Sequence, residues 1–247
     1  MSDFTGKGAI VTGAASGVGR EVTRLLSERG AAVVAVDLDP SVHDLAADAV
    51  VPIEGDVSLA ECADRAVEAA EERFGGVHVL VCNAGQIILK PILETSEEEW
   101  DRLLAVNVKS VFLFCRAAIP VMARQGGGAI VSTASISGVV GLPFQSAYSA
   151  SKGAIVQLTR QLAVECAAAK IRVNAVAPGA IDTPFLRRLV EAAEDPEGLE
   201  AAISADHPLG RWASAEEVAR SIVFLASDEA AFVTGTVLMV DGGYTAR

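Results

Sequence analysis

Short runs of β-branched and other apolar residues alternate along the whole chain with longer stretches whose apolar positions recur every three or four residues. The short runs predict seven strands: Ala9 to Thr12, Ala32 to Val36, Val50 to Ile53, Val77 to Cys82, Ala129 to Ser132, Arg172 to Ala177 and Val237 to Val240. Helical periodicity falls between them, over Gly17 to Arg29, Ser58 to Phe74, Ser96 to Arg124, Ser146 to Ala168 and Ala215 to Ala226. The link between the second and third strands is too short for a full helix and predicts a truncated one. Thr95-Ser96-Glu97-Glu98 sets a hydroxyl three residues before a carboxylate, which predicts a capping box at the start of the long third helix.

Strands that are apolar throughout, each followed by a helix, are the pattern of a parallel sheet buried on both faces. Right-handed crossovers wind such a chain into a doubly wound α/β fold of seven parallel strands with helices on both faces. Ligands then gather beyond the carboxyl ends of the strands, where the winding reverses. Gly126-Gly127-Gly128, the only glycine run, sits between a helix and a strand and reads as a tight turn rather than a linker, so residues 1–247 are expected to form one domain.

Composition narrows the function classes. Hydrophobic residues make up 51% of the chain, yet none of its apolar stretches approaches uninterrupted the ~20 residues that span a bilayer. Met1-Ser2-Asp3-Phe4 lacks a basic region leading into an apolar core, so no secretory signal and a cytoplasmic location are expected. Cys62, Cys82, Cys115 and Cys166 lie far apart without paired spacing, and His43, His78 and His207 have no ligand-like neighbours; no metal and no disulfide are expected. A net charge of −12 without a basic stripe argues against nucleic acid as a partner.

Directly after the first strand comes Thr12-Gly13-Ala14-Ala15-Ser16-Gly17-Val18-Gly19, which opens a helix. Glycines there let the backbone turn sharply and approach a pyrophosphate, whose charge suits the free N–H groups and the positive end of the helix dipole. The spacing departs from G-x-G-x-x-G, and the alternative is a plain strand-to-helix loop. Context favours a dinucleotide, because Val33-Val34-Ala35-Val36-Asp37 follows with an acid where a ribose ligand belongs. The Asp37 carboxylate can accept both adenosine ribose hydroxyls and repels a 2′-phosphate, so NAD is expected over NADP. Neither Ala14 nor Ala15 supplies the cation that NADP would need. Asp56-Val57, ending the third strand, is placed to flank the adenine.

Tyr148 and Lys152 lie four apart in a helical stretch and so share one face. An ammonium beside a phenol favours the phenolate and fits the phenol for proton transfer near neutrality; the bland alternative is a surface pair. Asn107 falls on the apolar side of its helix with Leu103, Leu104 and Val111, where an amide needs a partner.

These residues, in this order over essentially the whole chain, strongly resemble the short-chain dehydrogenase/reductase family in its compact form, a single-domain Rossmann-type fold. The resemblance rests on Thr12 to Gly19, Asp56-Val57, Cys82-Asn83-Ala84-Gly85, Asn107, Ser135, Tyr148 with Lys152, and Pro178-Gly179 with Thr183. One departure is visible: the family's Asn-Asn-Ala-Gly begins here with Cys82, which leaves hydrogen bonding at that position open. The resemblance implies that Tyr148 is the acid/base on the substrate oxygen, that Lys152 lowers its pKa and bonds the nicotinamide ribose, and that Ser135 hydrogen-bonds the same oxygen. It further implies that Asn107 holds a proton-relaying water with Lys152. The cofactor would be bound by Gly13, Ser16, Gly17, Val18, Gly19, Asp37, Leu38, Asp56, Val57, Asn83, Ala84, Gly85, Tyr148, Lys152, Pro178, Gly179, Ile181 and Thr183. The implied reaction is NAD-dependent interconversion of a secondary alcohol and a ketone. The alternatives are reduction of a 3-oxoacyl thioester, against which Asp37 and the acidic surface count, and a catalytically silent nucleotide sensor, against which the presence of Tyr148 and Lys152 counts.

Residues 183–212 hold Phe185, Leu186, Leu189, His207, Pro208 and Trp212 among alanines and acids and read as a mobile substrate lid. With Ile87, Ile88, Val139, Leu142 and Phe144 as wall residues, an uncharged, mostly apolar substrate is expected. Small and apolar residues on the helix from Ser146, together with the resemblance, lead us to expect a homotetramer.

Overall fold

The central strands are covered on both faces, and this is why they read as unbroken apolar runs. In the computed structural model, which describes residues 3–247, all five residues of β1 (Gly8–Thr12) are buried, as are the four central residues of β2 (Ala32–Asp37). Between them α1 (Gly17–Glu28) turns Val22, Leu25 and Leu26 onto the sheet. The truncated helix predicted next is a 3-10 turn over Pro40–Leu45, and β3 (Val50–Glu54) follows it. The chain continues through α2 (Ala60–Phe74), β4 (Val79–Cys82), α3 (Glu97–Leu104), α4 (Ser110–Arg124), β5 (Gly128–Thr133), α5 (Ser146–Cys166) and β6 (Ile171–Pro178). A short strand β7 (Ile181–Asp182), two helices α6 (Pro184–Glu191) and α7 (Pro196–Ala205), and a matching short strand β8 (Ala213–Ser214) precede α8 (Ala215–Ala226) and β9 (Val237–Val240).

Seven parallel strands lie in the order β3-β2-β1-β4-β5-β6-β9. Side chains alternate between two apolar layers as strand geometry requires. Ile10, Val34, Leu80 and Ile130 pack with residues of α2, α4 and α5, whereas Val11, Val33, Val81 and Val131 pack with residues of α1 and α8. The order reverses between β1 and β4, so their carboxyl ends open a crevice rather than feeding adjacent crossovers.

The structure departs from the sequence expectations in three places. The capping box sits one residue later than predicted: Ser96 Oγ accepts from Glu99 N at 3.2 Å and Glu99 Oε2 accepts from Ser96 N at 3.1 Å. Thr95 instead turns its hydroxyl back to the Pro91 carbonyl. The long third helix is continuous only through a π-helical turn, Ala105–Lys109, between α3 and α4. Glu97–Arg124 is long and apolar enough to cross a membrane by composition. Half of its apolar window is buried inside the protein, however, with Leu103, Val106, Leu113 and Phe114 packed in the core. Lastly, the pairing of β7 with β8, Ile181 opposite Ala213, escaped the sequence reading because strands of two residues carry no periodicity.

Candidate active site

The glycine turn after β1 is dictated by crowding. Gly13 has φ +67°, and a Cβ there would sit 2.9 Å from the Ala84 Cα. A Cβ on Gly19 would sit 2.0 Å from the Gly13 carbonyl oxygen and 2.6 Å from Asn83 Nδ2. Asn83 fastens this turn: its Nδ2 donates to the carbonyls of Thr12 and Gly13, both at 3.2 Å, and its Oδ1 accepts from Thr133 Oγ1 at 3.2 Å. Thr12 Oγ1 in turn accepts from the backbone N–H groups of Asn83 and Ala84. Cys82, the departure from the family pattern, is buried with its thiol against Cys115 and disturbs none of these bonds.

The turn leads into α1, whose first turn carries no acidic residue and whose N-cap, Ser16, uses no side-chain cap. Its N–H groups and positive dipole end face a cavity of about 970 Å³ that runs from Asp37 and Leu38 past Asp56 and Val57 to Tyr148 and Lys152. Asp37 is held in place there, Oδ2 accepting from Ala15 N at 2.9 Å and Oδ1 from Asp39 N at 3.0 Å. Arg20 Nη1 donates to the carbonyl of the same Ala15 at 3.4 Å. It is a cation near the Asp37 end that inspection of Ala14 and Ala15 passed over. Asp56 accepts from Ser58 and forms an ion pair with Arg102 at 3.0 Å.

At the far end, residues from three elements converge. Tyr148 and Lys152 come from α5, Ser135 from the loop after β5, and Pro178 and Gly179 from the end of β6. Lys152 is buried; its Nζ donates to the Thr133 carbonyl at 2.7 Å and lies 5.6 Å from the centre of the Tyr148 ring. Burial raises the Tyr148 phenol above its ordinary pKa, while a hydrogen bond with Ser135 pulls it down. Desolvation is the larger of these two effects, and the Lys152 ammonium donates to the Thr133 carbonyl beside the ring. Ser135 is itself fixed by Ser137, whose N–H donates to its Oγ at 3.2 Å, and Ser137 Oγ donates to Gln145 Oε1 at 2.6 Å.

Of the twenty residues expected at the site, eighteen line this single cavity; Gly19 and Asn107 lie behind its wall. Asn107, within the π turn, accepts from Gln86 N at 2.8 Å and donates to Gln86 O at 2.9 Å and to Ser151 Oγ at 3.0 Å. Its Oδ1 and Lys152 Nζ both come within 3.5 Å of the point a Gly85 Cβ would occupy. Thr133, Gln145 and Tyr244 also contribute to the cavity and were missed, since none belongs to a local motif. Among the expected wall residues, Ile87, Leu142, Phe144, Leu186, Leu189 and His207 line it, whereas Ile88, Val139, Pro208 and Trp212 do not; the side chain of Phe185 lies outside the described residues. His207 ties α7 to the turn after β6, accepting from Ala180 N at 3.0 Å through Nε2 and donating to Ile203 O at 2.8 Å through Nδ1.

The buried lysine has a thermodynamic consequence. Burial lowers its pKa from 10.5 to about 8. The unfolded chain keeps this proton up to pH 10.5 and the folded chain only to about 8, so the cost to folding is complete below pH 8 and is relieved as pH rises to 10.5. Lys152→Met is therefore expected to stabilise the free enzyme at pH 7 by about 1 to 3 kcal/mol, reduced by the loss of a donor to Thr133. Urea unfolding of both proteins checks this: the gap in unfolding free energy closes between pH 7 and 10.

The cavity fits a dinucleotide on the structure's own terms: a glycine cradle that a Cβ would fill, a helix N-terminus free of acids, and a fixed carboxylate at one end with a phenol and an amine at the other. Comparison with known proteins agrees. The profile of the family described as enoyl-(acyl carrier protein) reductase matches residues 13–245. A cis-4-hydroxycyclohexanecarboxylate dehydrogenase of Sinomonas cyclohexanicum is 44% identical over 250 residues, 98% of each chain. A cyclopentanol dehydrogenase of Comamonas sp. (strain NCIMB 9872) is 40% identical over the full length of both. The crystal structure of levodione reductase superposes with a TM-score of 0.92 at 35% identity, covering 98% of this chain and 99% of that one. With its doubly wound sheet, its glycine turn and its Ser135, Tyr148 and Lys152 on one cavity wall, the chain belongs to the short-chain dehydrogenase/reductase family of oxidoreductases.

Proposed function

We propose that this protein is an NAD-dependent dehydrogenase that interconverts a small cyclic secondary alcohol and its ketone, with residues 183–212 serving as a lid over a single domain. The observation that carries the reading is the convergence of Asp37, the glycine turn, Ser135, Tyr148 and Lys152 on one cavity. The relatives acting on cyclopentanol and on a hydroxycyclohexanecarboxylate support the substrate class. Bound along the cavity, the nicotinamide cofactor would accept the hydride from the alcohol or return it to the ketone. The chain supplies everything else. Tyr148 removes the alcohol proton, Ser135 donates to the oxygen as charge develops, and the Lys152 ammonium raises local positive potential while holding the ribose. Asn107, bonded to Gln86 and Ser151, fixes the backbone beside Gly85 and completes the route by which Tyr148 exchanges its proton through Lys152. A screen of secondary alcohols with NAD and with NADP tests the proposal: turnover of cyclic alcohols with NAD supports it, and its absence across the panel rejects it.

We further propose a cytoplasmic homotetramer. Phe112 on α4 and Val164 on α5 are exposed, the latter at 78%, on the two helices expected to meet their copies. Light scattering at micromolar concentration is expected to give the mass of four chains; one chain of 25.5 kDa would refute the assembly.

A further inference from the structure

Arg188 lines the cavity from the lid. Pro184 and Arg188 are one helical turn apart on α6, and Leu186 and Leu189 of the same helix also line the cavity. The adjacent Arg187 is fully engaged, paired with Asp182 at 2.7 Å and Glu200 at 3.3 Å and stacked 5.0 Å from the Trp212 ring. The Arg188 side chain has neither an ion pair nor a hydrogen bond among the described residues, and its carbonyl accepts from Ala192 N within the helix end.

The remaining lysine and arginine on the cavity wall are committed. Arg102 pairs with Asp56, and Lys152 donates to the Thr133 carbonyl. Asp206, an acid on the same wall, pairs with Arg247. The chain carries 32 acidic against 20 basic residues, so its overall field repels anions and gives an arginine many carboxylates to choose from. Arg188, exposed at the edge of the cavity beside Ile87, Leu142, Leu186, Leu189 and Ile203 and paired with none of the cavity's carboxylates, leaves a planar five-donor fork open to a ligand.

We propose that Arg188 is an anion-recognition subsite and that the substrate is a secondary alcohol bearing a carboxylate at the end remote from the carbinol. The apolar body lies between Ile87, Leu142 and the lid leucines, the hydroxyl meets Tyr148 and Ser135, and the carboxylate takes the guanidinium fork. This deepens the alcohol–ketone reading, on which it rests, and adds a single charged end to the mostly apolar substrate expected from sequence.

The test compares hydroxycyclohexanecarboxylates substituted at the third or fourth carbon, their methyl esters, and cyclohexanol, as substrates of the wild type, Arg188→Gln and Arg188→Lys. The acid is expected to have a KM at least about tenfold below that of its ester. Arg188→Gln should raise the acid's KM about 10- to 100-fold and the ester's far less, with partial recovery in Arg188→Lys. Calorimetric titration of cyclohexanecarboxylate, which carries no hydroxyl to oxidise, into the enzyme–NADH complex reads the subsite without turnover. Equal KM values for acid and ester, an equal effect of Arg188→Gln on both, or weakened NADH binding in Arg188→Gln overturns the proposal. Should no alcohol be oxidised while cyclohexanecarboxylate binds the wild type and not Arg188→Gln, the subsite stands and the alcohol–ketone reading falls; absence of binding as well removes both.

Discussion

Tyr148→Phe is expected to lose about 10³-fold in kcat for alcohol oxidation while binding NADH almost as tightly as the wild type. The substitution deletes one oxygen, keeps the ring against Lys152 Nζ at its 5.6 Å separation, and leaves Ser135 fixed by its bond to Ser137. Because burial holds the phenol above its ordinary pKa, the wild-type oxidation rate should climb with pH as the Tyr148 and Lys152 pair gives up a proton. Steady-state rates and NADH titration on the folded variant provide the check, and retention of more than a tenth of wild-type activity removes Tyr148 from the mechanism. A flat profile between pH 6 and 10 would do the same.

Asp37→Ala is expected to lower NAD affinity by ~1.5 to 3 kcal/mol and to bring NADP into use. On the proposed reading, the carboxylate would supply both the ribose acceptors and the repulsion of a 2′-phosphate. Once it is gone, the repulsion goes with it, and Arg20, which donates to the Ala15 carbonyl, remains as a cation on the same turn. The variant also strips an acceptor from the N–H groups of Ala15 and Asp39, so a lower melting temperature should accompany the change. The ratio of kcat/KM for NAD to that for NADP is the measurement that separates the two effects. A wild type that uses both cofactors equally would show that Asp37 does not select.

The fold was legible because its determinants are local or periodic. A strand such as β4 is apolar at every position because two helical layers cover it, and α5 advertises its length by its period. The glycine turn was legible for a different reason: Gly13 and Gly19 sit where any Cβ would strike the backbone, so the residue type records the geometry directly. Asn107 was read as an amide in an ordinary helix, and only the structure shows the π turn that lets both ends of the amide clamp Gln86. What stayed hidden depends on the meeting of distant segments. The Thr133 carbonyl is an anchor for Lys152 only because β5 ends beside α5, and burial of the Lys152 amine is a property of the assembled core. Arg188 looked like one more charge on an amphipathic helix, since nothing local distinguishes it from Arg187, which faces acids and an indole instead.

The central claim, hydride transfer between a carbinol carbon and a nicotinamide in this cavity, is tested most directly by isotope tracing. Cyclohexanol carrying deuterium on its carbinol carbon is incubated with the enzyme and NAD, and the reduced cofactor is examined by mass spectrometry. The account predicts one deuterium on one face of the reduced nicotinamide ring, formed together with cyclohexanone and absent in Tyr148→Phe. Deuterium appearing in water, or ketone formed without labelled NADH, would contradict it.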